Sequence, residues 1–166
     1  QVQKGQLLFT DKKMEGVKFT APASGRVTAI NRGARRVFQS LVIEVDDTIE
    51  PVRFDQYSAD AASQLDSGRI RDVLIESGQW TALRARPYSK VADPGTTPAG
   101  LFITAIDTQP LALDPADAIA EQREAFTLGQ ALLSQLVDCP VYLCCAPGAD
   151  IPLASNDRLE RVDFEG

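Results

Sequence analysis

Cysteine, aspartate and tryptophan are the residue types here whose placement could support chemistry. The three cysteines, Cys139, Cys144 and Cys145, are an odd number and lie close together. A secreted disulfide framework wants even, dispersed cysteines, and the C-x4-C-C spacing does not match the repeated C-x2-C ligand sets of zinc or iron–sulfur sites. Cys144 and Cys145 sit in VYLCCAPG, an apolar run bounded by Pro140 and Pro147. They are therefore expected as small core residues of a buried strand. The chain contains no histidine, which removes Ser–His and Cys–His nucleophile pairs and the commonest metal ligand. No catalytic, metal-ligating or cofactor-binding residue is expected. Two candidate ligand residues are left. Asp107 follows an apolar run, at the carboxyl end of a strand, where open α/β sheets gather their ligands; a turn or cap is its competing use. Trp80 offers a broad ring for stacking, against the ordinary use of packing between a linker and a sheet.

The elements that must position these residues change character along the chain. Gln6–Thr10 is an apolar run of strand length, Asp11–Gly16 a polar turn, and Val17, Phe19 and Ala21 alternate with Lys18 and Thr20, the period of a half-buried strand. Pro22–Gly25 turns the chain into Arg26–Ile30, and Asn31–Arg36 turns it again into a strand with Leu41, Ile43 and Val45 on one face. Val52–Phe54 is expected to add a last strand. Arg32, Arg35 and Arg36 could grip an anion, although a solvated turn is their commoner use. Short strands joined by tight turns make a small sandwich or barrel.

From residue 56 the pattern turns helical. Ser58 is the expected N-cap of Ala59–Leu65 and Ser67 that of Gly68–Ser77, with Gly78 closing the second helix. Gly100–Ile106 is a continuous apolar run that suits a strand buried on both faces of a parallel sheet. Asp114 is placed as N-cap, Pro115 at the first helical position and Asp117 in the first turn of a long helix. Ile119, Phe126, Leu133 and Leu136 form its apolar stripe, and Gly129 permits close packing on the sheet. Val141–Cys145 is the next buried strand and Arg158–Phe164 a further one, giving a right-handed βαβ arrangement.

Composition bounds the answer. A chain of 166 residues makes one ordinary domain or two small ones, and 44% hydrophobic residues suit a packed core. The longest apolar runs are strand-sized, too short to span a bilayer. A net charge of −6 argues against nucleic acid as a partner. The sequence starts at Gln1 without Met, has no signal-peptide pattern and stops within VDFEG; it reads as an excised piece of a longer chain.

The ordered blocks K-G-Q-x-L-F-x-D-K-K (Lys4–Lys13), G-V-K-F-x-A-P-A-S-G-x-V (Gly16–Val27) and N-R-G-A-x-R (Asn31–Arg36) resemble the A subunit of the bacterial sodium-translocating NADH:quinone reductase. The resemblance continues through Leu74–Lys90, Phe102–Pro115 and Tyr142–Pro147. The first block alone is also similar to biotinyl/lipoyl-type barrel-sandwich domains and to the C subunit of the Rnf complex. The implied fold is α/β plus all-β. It comprises a partial barrel-sandwich module (1–55), a helical linker (56–98) and a Rossmann-like α/β domain related to the complex I flavoprotein (99–166, incomplete at its C-terminus). The module's first strands would lie upstream of Gln1, leaving edges prone to truncation-induced self-association.

The resemblance implies a peripheral subunit on the cytoplasmic face of the bacterial inner membrane. It would partner the other reductase subunits, especially one embedded in the membrane, and take part in ubiquinone reduction coupled to sodium export. Ubiquinone is then the substrate of the complete subunit, and Trp80 a quinone-stacking aromatic. Flavin- and NADH-binding relatives keep a glycine-rich loop before the first strand, because only glycine lets backbone amides come close to phosphate, and an Asn-x-x-Glu-x-Glu-Pro motif after it. This chain has SGQWTALRARPYSKV and Thr104–Pro110 (TAIDTQP) instead. No FMN or NADH site is expected, and the piece alone is expected to be inactive. The alternatives are an FMN/NADH-binding redox subunit of an Rnf-type complex and a lipoyl- or biotinyl-type carrier. The carrier would use Lys12, which otherwise reads as an ordinary hairpin charge.

Overall fold

The computed structural model describes residues 1–165. The chain divides into two compact units, Gln1–Gln56 with Arg71–Gly95, and Tyr57–Ile70 with the chain from Thr96 onward.

The first unit is built from antiparallel hairpins. Strands β1 (Leu7–Thr10) and β2 (Lys18–Thr20) pair with Phe9 opposite Phe19. Strands β3 (Gly25–Arg32) and β4 (Phe38–Val45) pair over their full lengths, from Gly25 opposite Val45 to Arg32 opposite Phe38. Val2 and Gly25 exchange backbone hydrogen bonds at 2.8 and 2.9 Å, and Gly5 donates to the Ala21 carbonyl at 2.8 Å, which ties the entering chain to both hairpins. Gly25 has φ +158, and a Cβ there would overlap the Glu44 carbonyl, so the turn after Pro22 requires glycine. Val17 and Ala21 are buried at the ends of β2, as the alternation predicts.

The last strand expected over Val52–Phe54 does not form. Val52 makes a single rung, donating to the Lys4 carbonyl at 2.8 Å, and Pro51 beside it has no N–H with which to extend a ladder. An open groove of about 930 Å³ lies on this unit, lined among others by Phe9, Phe19, Phe38, Leu41, Ile43 and Phe54. Phe9 stacks on Phe19 with ring centroids 4.8 Å apart and meets Phe38 at 5.1 Å.

Helix α1 (Ala59–Ala62) is capped by Ser58, whose hydroxyl accepts from the Ala61 amide, and it stops three residues short of Leu65. Helix α2 (Ser67–Glu76) begins one residue earlier than expected. Its cap is Asp66, which accepts the Arg69 amide at 2.9 Å, so Ser67 is the first helical residue. Gly78 ends this segment in the left-handed region, φ +79. A side chain there would strike Thr20, whose hydroxyl donates to the Ser77 carbonyl at 3.1 Å. Beyond it come a short 3-10 turn, Gln79–Ala82, and a two-rung hairpin of β5 (Arg84–Ala85) and β6 (Lys90–Val91).

The second unit carries a parallel sheet, β7 (Leu101–Ala105), β8 (Val141–Cys145) and β9 (Leu159–Asp163), ordered β7-β8-β9. Ala105, Val141, Leu143, Cys145, Ile151, Ala154 and Leu159 form its core, with Ile119 and Phe126 packed against them. Three expectations change here. The stripe from Ile119 to Leu136 belongs to two helices, α3 (Pro115–Ala120) and α4 (Arg123–Leu136), because Gln122 leaves helical geometry at φ −136, ψ 37. Strand β7 is buried on one face only. Its Leu101, Ile103 and Ala105 meet the core, while Phe102 is 62% exposed and stacks on Tyr142 at 5.2 Å. Gly129 faces open space, with nothing within 4 Å of where its Cβ would stand. The caps hold as expected: Asp114 accepts the Ala116 amide at 2.9 Å, and Pro115 opens α3.

Candidate functional site

Asp107 lies just past the carboxyl end of β7 and is exposed. Its Oδ1 accepts the Gln109 amide at 2.9 Å, and the Ala112 amide donates to the Gln109 carbonyl at 3.1 Å. The carboxylate thus holds an Asx turn that runs into a second turn. Leu111 in that turn has φ +65 and is fully exposed. A topological switch point needs the strand order to reverse. Among the described residues the three parallel strands run in chain order, β7 at the edge, and Asp107 follows that edge strand.

Trp80 is 5% exposed, and its indole Nε1 donates to the Ala92 carbonyl at 2.7 Å. The ring is committed to the base of the β5–β6 hairpin, where Leu83 donates to the Trp80 carbonyl and Ala92 to the Leu83 carbonyl. Trp80 and Asp107 belong to different units. Lys12 stands exposed in a turn where the Lys13 amide donates to Asp11 at 2.9 Å. Arg32, Arg35 and Arg36 are exposed at the β3–β4 turn.

The cysteines are free and buried. Burial pushes the Cys144 thiol up from its ordinary range. It does the same to Cys145, where Arg161 opposes and Asp163 and Cys144 assist. Both lie buried on β8, Cys145 within the sheet's core cluster, so they pack the sheet as the apolar run predicts. Among the described residues no group of three or more His, Cys, Asp or Glu side chains could hold a metal ion, and no helix is long and apolar enough to cross a membrane.

Residues 65–166 match the family model described as the NqrA second alpha/beta domain. The chain belongs to the NqrA family. Residues 1–46 match a second model, the NqrA N-terminal barrel-sandwich hybrid domain, which agrees with the antiparallel hairpins of β1–β4. Curated relatives of this NqrA chain include the A subunits of several Na(+)-translocating NADH-quinone reductases. With that of Alcanivorax borkumensis it is 50% identical over 165 residues, covering 99% of this chain and 37% of that protein. With that of Shewanella frigidimarina it is 57% identical over 155 residues, covering 93% and 35%. With that of Shewanella denitrificans it shares 55% over 166 residues, covering 100% and 36%. The chain thus spans little more than a third of the length of these NqrA relatives.

Two features of this NqrA family chain escape sequence reasoning. Gln130 lies in the apolar stripe of α4 and is 1% exposed. Its Nε2 donates to the Pro152 carbonyl at 2.8 Å and its Oε1 accepts the Ala154 amide at 3.0 Å. A lone glutamine among helix-spaced apolar residues is the only signal the sequence offers for this. The second is the hairpin Arg84–Val91, too short to show a strand period, which sets basic and aromatic side chains on an exposed tip.

Proposed function

We propose that the chain acts within a sodium-translocating NADH:quinone reductase, as part of a peripheral subunit docked on the other subunits, especially one embedded in the membrane. In this reading the assembly passes electrons from NADH to ubiquinone and exports sodium, and the NqrA polypeptide lies on the cytoplasmic face of the bacterial inner membrane. Residues 1–55 are a partial barrel-sandwich module, 56–98 a helical linker whose residues 71–95 pack with that module and 57–70 with the second unit, and 99–166 a Rossmann-like layer related to the complex I flavoprotein domain. That layer serves as scaffold and holds neither FMN nor NADH. One observation carries this: at the carboxyl end of β7, where open α/β sheets gather their ligands, the Asp107 carboxylate closes its own Asx turn, Oδ1 accepting the Gln109 amide at 2.9 Å. The segment before β7 supports the same conclusion, since it buries the bulky Trp80 where close approach to phosphate favours glycine. Trp80 and Asp107 then act structurally, the first beneath a hairpin and the second in a turn.

The test is made on the full-length protein tagged in its host. It should co-purify with the other reductase subunits, and the purified polypeptide should be colourless and give no saturable heat with NADH. Purification free of those subunits refutes the docking. A stoichiometric flavin spectrum or a micromolar NADH isotherm refutes the scaffold reading and favours an FMN/NADH-binding redox protein. An added lipoyl or biotinyl mass on Lys12 favours a carrier.

A further inference from the structure

The β5–β6 hairpin is small, yet it is held firmly. Its base is the buried Trp80, hydrogen-bonded to Ala92, and two rungs join Arg84 to Val91 and Ala85 to Lys90. Its tip, Arg86–Ser89, contains a cis Arg86–Pro87 bond and Ser89 at φ +51. Within Arg84–Lys90 there are three cations and no acid, in a chain whose net charge is −6. Arg84, Arg86 and Lys90 are exposed, and among the described residues none of them makes an ion pair. Tyr88 stands 79% exposed at the apex, with the Lys90 ammonium 5.9 Å from its ring centroid.

From this geometry we infer that the hairpin tip binds the anionic phosphate headgroups of a lipid bilayer. The pairing puts Arg84 on one face of the ribbon with Val91 and Lys90 on the other with Ala85. A single protein interface laid against one face would leave the other cation unmatched. An extended anionic surface met end-on reaches both faces at once. Tyrosine suits the headgroup layer, where its ring is half in hydrocarbon and its hydroxyl stays wet. Basic residues gain most within a Debye length of the charged surface. That length is about 10 Å at 0.1 M salt, so acidic residues far from the hairpin oppose the contact only weakly, and Asp93, three residues beyond Lys90 at the hairpin base, is the acid that offsets it most directly. The inference rests on the proposed place of the chain at a membrane-bound reductase, but it is tested without that assembly.

The test is co-flotation of the purified chain with vesicles at 0.1 M salt. Equimolar phosphatidylglycerol and phosphatidylcholine should retain it, and pure phosphatidylcholine should not. The triple variant R84A/R86A/K90A should lose about a hundredfold in partition, at roughly fivefold per cation. Y88A should lose less, and 0.5 M salt should release the wild type. The charge-matched control R32A/R35A/R36A should float like the wild type. Emission of the buried Trp80 reports whether each variant is folded. Equal flotation of the triple variant and the control overturns the proposal, as does a wild type that ignores anionic vesicles. A saturable heat with inorganic phosphate alone reassigns the hairpin to a soluble anion. If the full-length triple variant leaves its reductase while the wild type stays and neither floats, the hairpin docks on an acidic protein surface instead. None of the flotation outcomes depends on whether the wild-type protein co-purifies with its reductase.

Discussion

Gln130 of α4 holds Ala154 in place, its buried side-chain oxygen accepting the Ala154 amide at 3.0 Å while its amide nitrogen donates to the Pro152 carbonyl at 2.8 Å. Ser134, also 1% exposed, returns a hydrogen bond to the Gln130 carbonyl at 2.9 Å. Pro152 and Ala154 lie in the irregular segment between β8 and β9, which has no ladder of its own. The glutamine supplies the partners that secondary structure does not. Removing it leaves the buried Ala154 N–H and the part-buried Pro152 C=O without these partners, beside a cavity. Gln130→Ala should therefore cost roughly 2–4 kcal/mol, measured by urea unfolding followed by circular dichroism. Gln130→Leu should cost nearly as much, because it refills volume without restoring either bond. A loss below about 1 kcal/mol for both variants, the net worth of one ordinary hydrogen bond, counts against the clamp.

One residue earlier the expected sign reverses. Gly129 is inside α4, its Cβ position is open, and its φ is not in the left-handed region. Gly129→Ala should stabilise by about 0.5–1 kcal/mol, because alanine loses less conformational entropy in a helix interior. A destabilised variant would show that something covers this helix face in solution.

The buried thiols set a pH limit. Burial raises the Cys144 and Cys145 pKa in the folded state, so the folded chain keeps protons that the unfolded chain gives up at its ordinary thiol pKa. Their contribution is complete below that pKa and is lost as pH rises through the folded values. Midpoints of urea unfolding should fall on the alkaline side. Alkylation with iodoacetamide at neutral pH should be slow for both residues until urea is added. Fast modification of the native chain, or a flat alkaline profile, contradicts the burial argument.

The groove over Phe9, Phe38, Leu41 and Ile43 leads to a prediction about association. Apolar strand faces beside unpaired edges recruit other strands. We propose that the 166-residue polypeptide self-associates through this module, and sedimentation velocity should show a mean mass that rises with concentration. Phe38→Lys, at a residue 44% exposed, should shift the distribution towards monomer. Monomeric wild type at every concentration ends the idea.

How far the sequence can be read depends on the range of the determinant. Asp114–Pro115 and Gly78 are legible because a cap or a left-handed stop is set by a few adjacent residues. Asp66 and Ser67 compete for one cap, and only the position of the Arg69 amide decides between them. Gly100–Ile106 reads as buried on both faces, but coverage of the Phe102 face depends on elements elsewhere in the chain. The break at Gln122 carries no proline or glycine, so an apolar stripe runs past it unmarked. For the candidate site, the residue types of Trp80 and Asp107 are plain, while their bonds to the Ala92 carbonyl and the Gln109 amide appear only with the backbone in place.

Trp80 is the single tryptophan of the chain and sits in the first of the two units. The molecule therefore has a natural optical reporter for one unit and none of comparable strength for the other. Emission should follow the melting of the hairpin base, whereas ellipticity should be weighted towards α3 and α4. Superimposable curves would mean that the units unfold as one cooperative body; separated curves would give each unit its own stability.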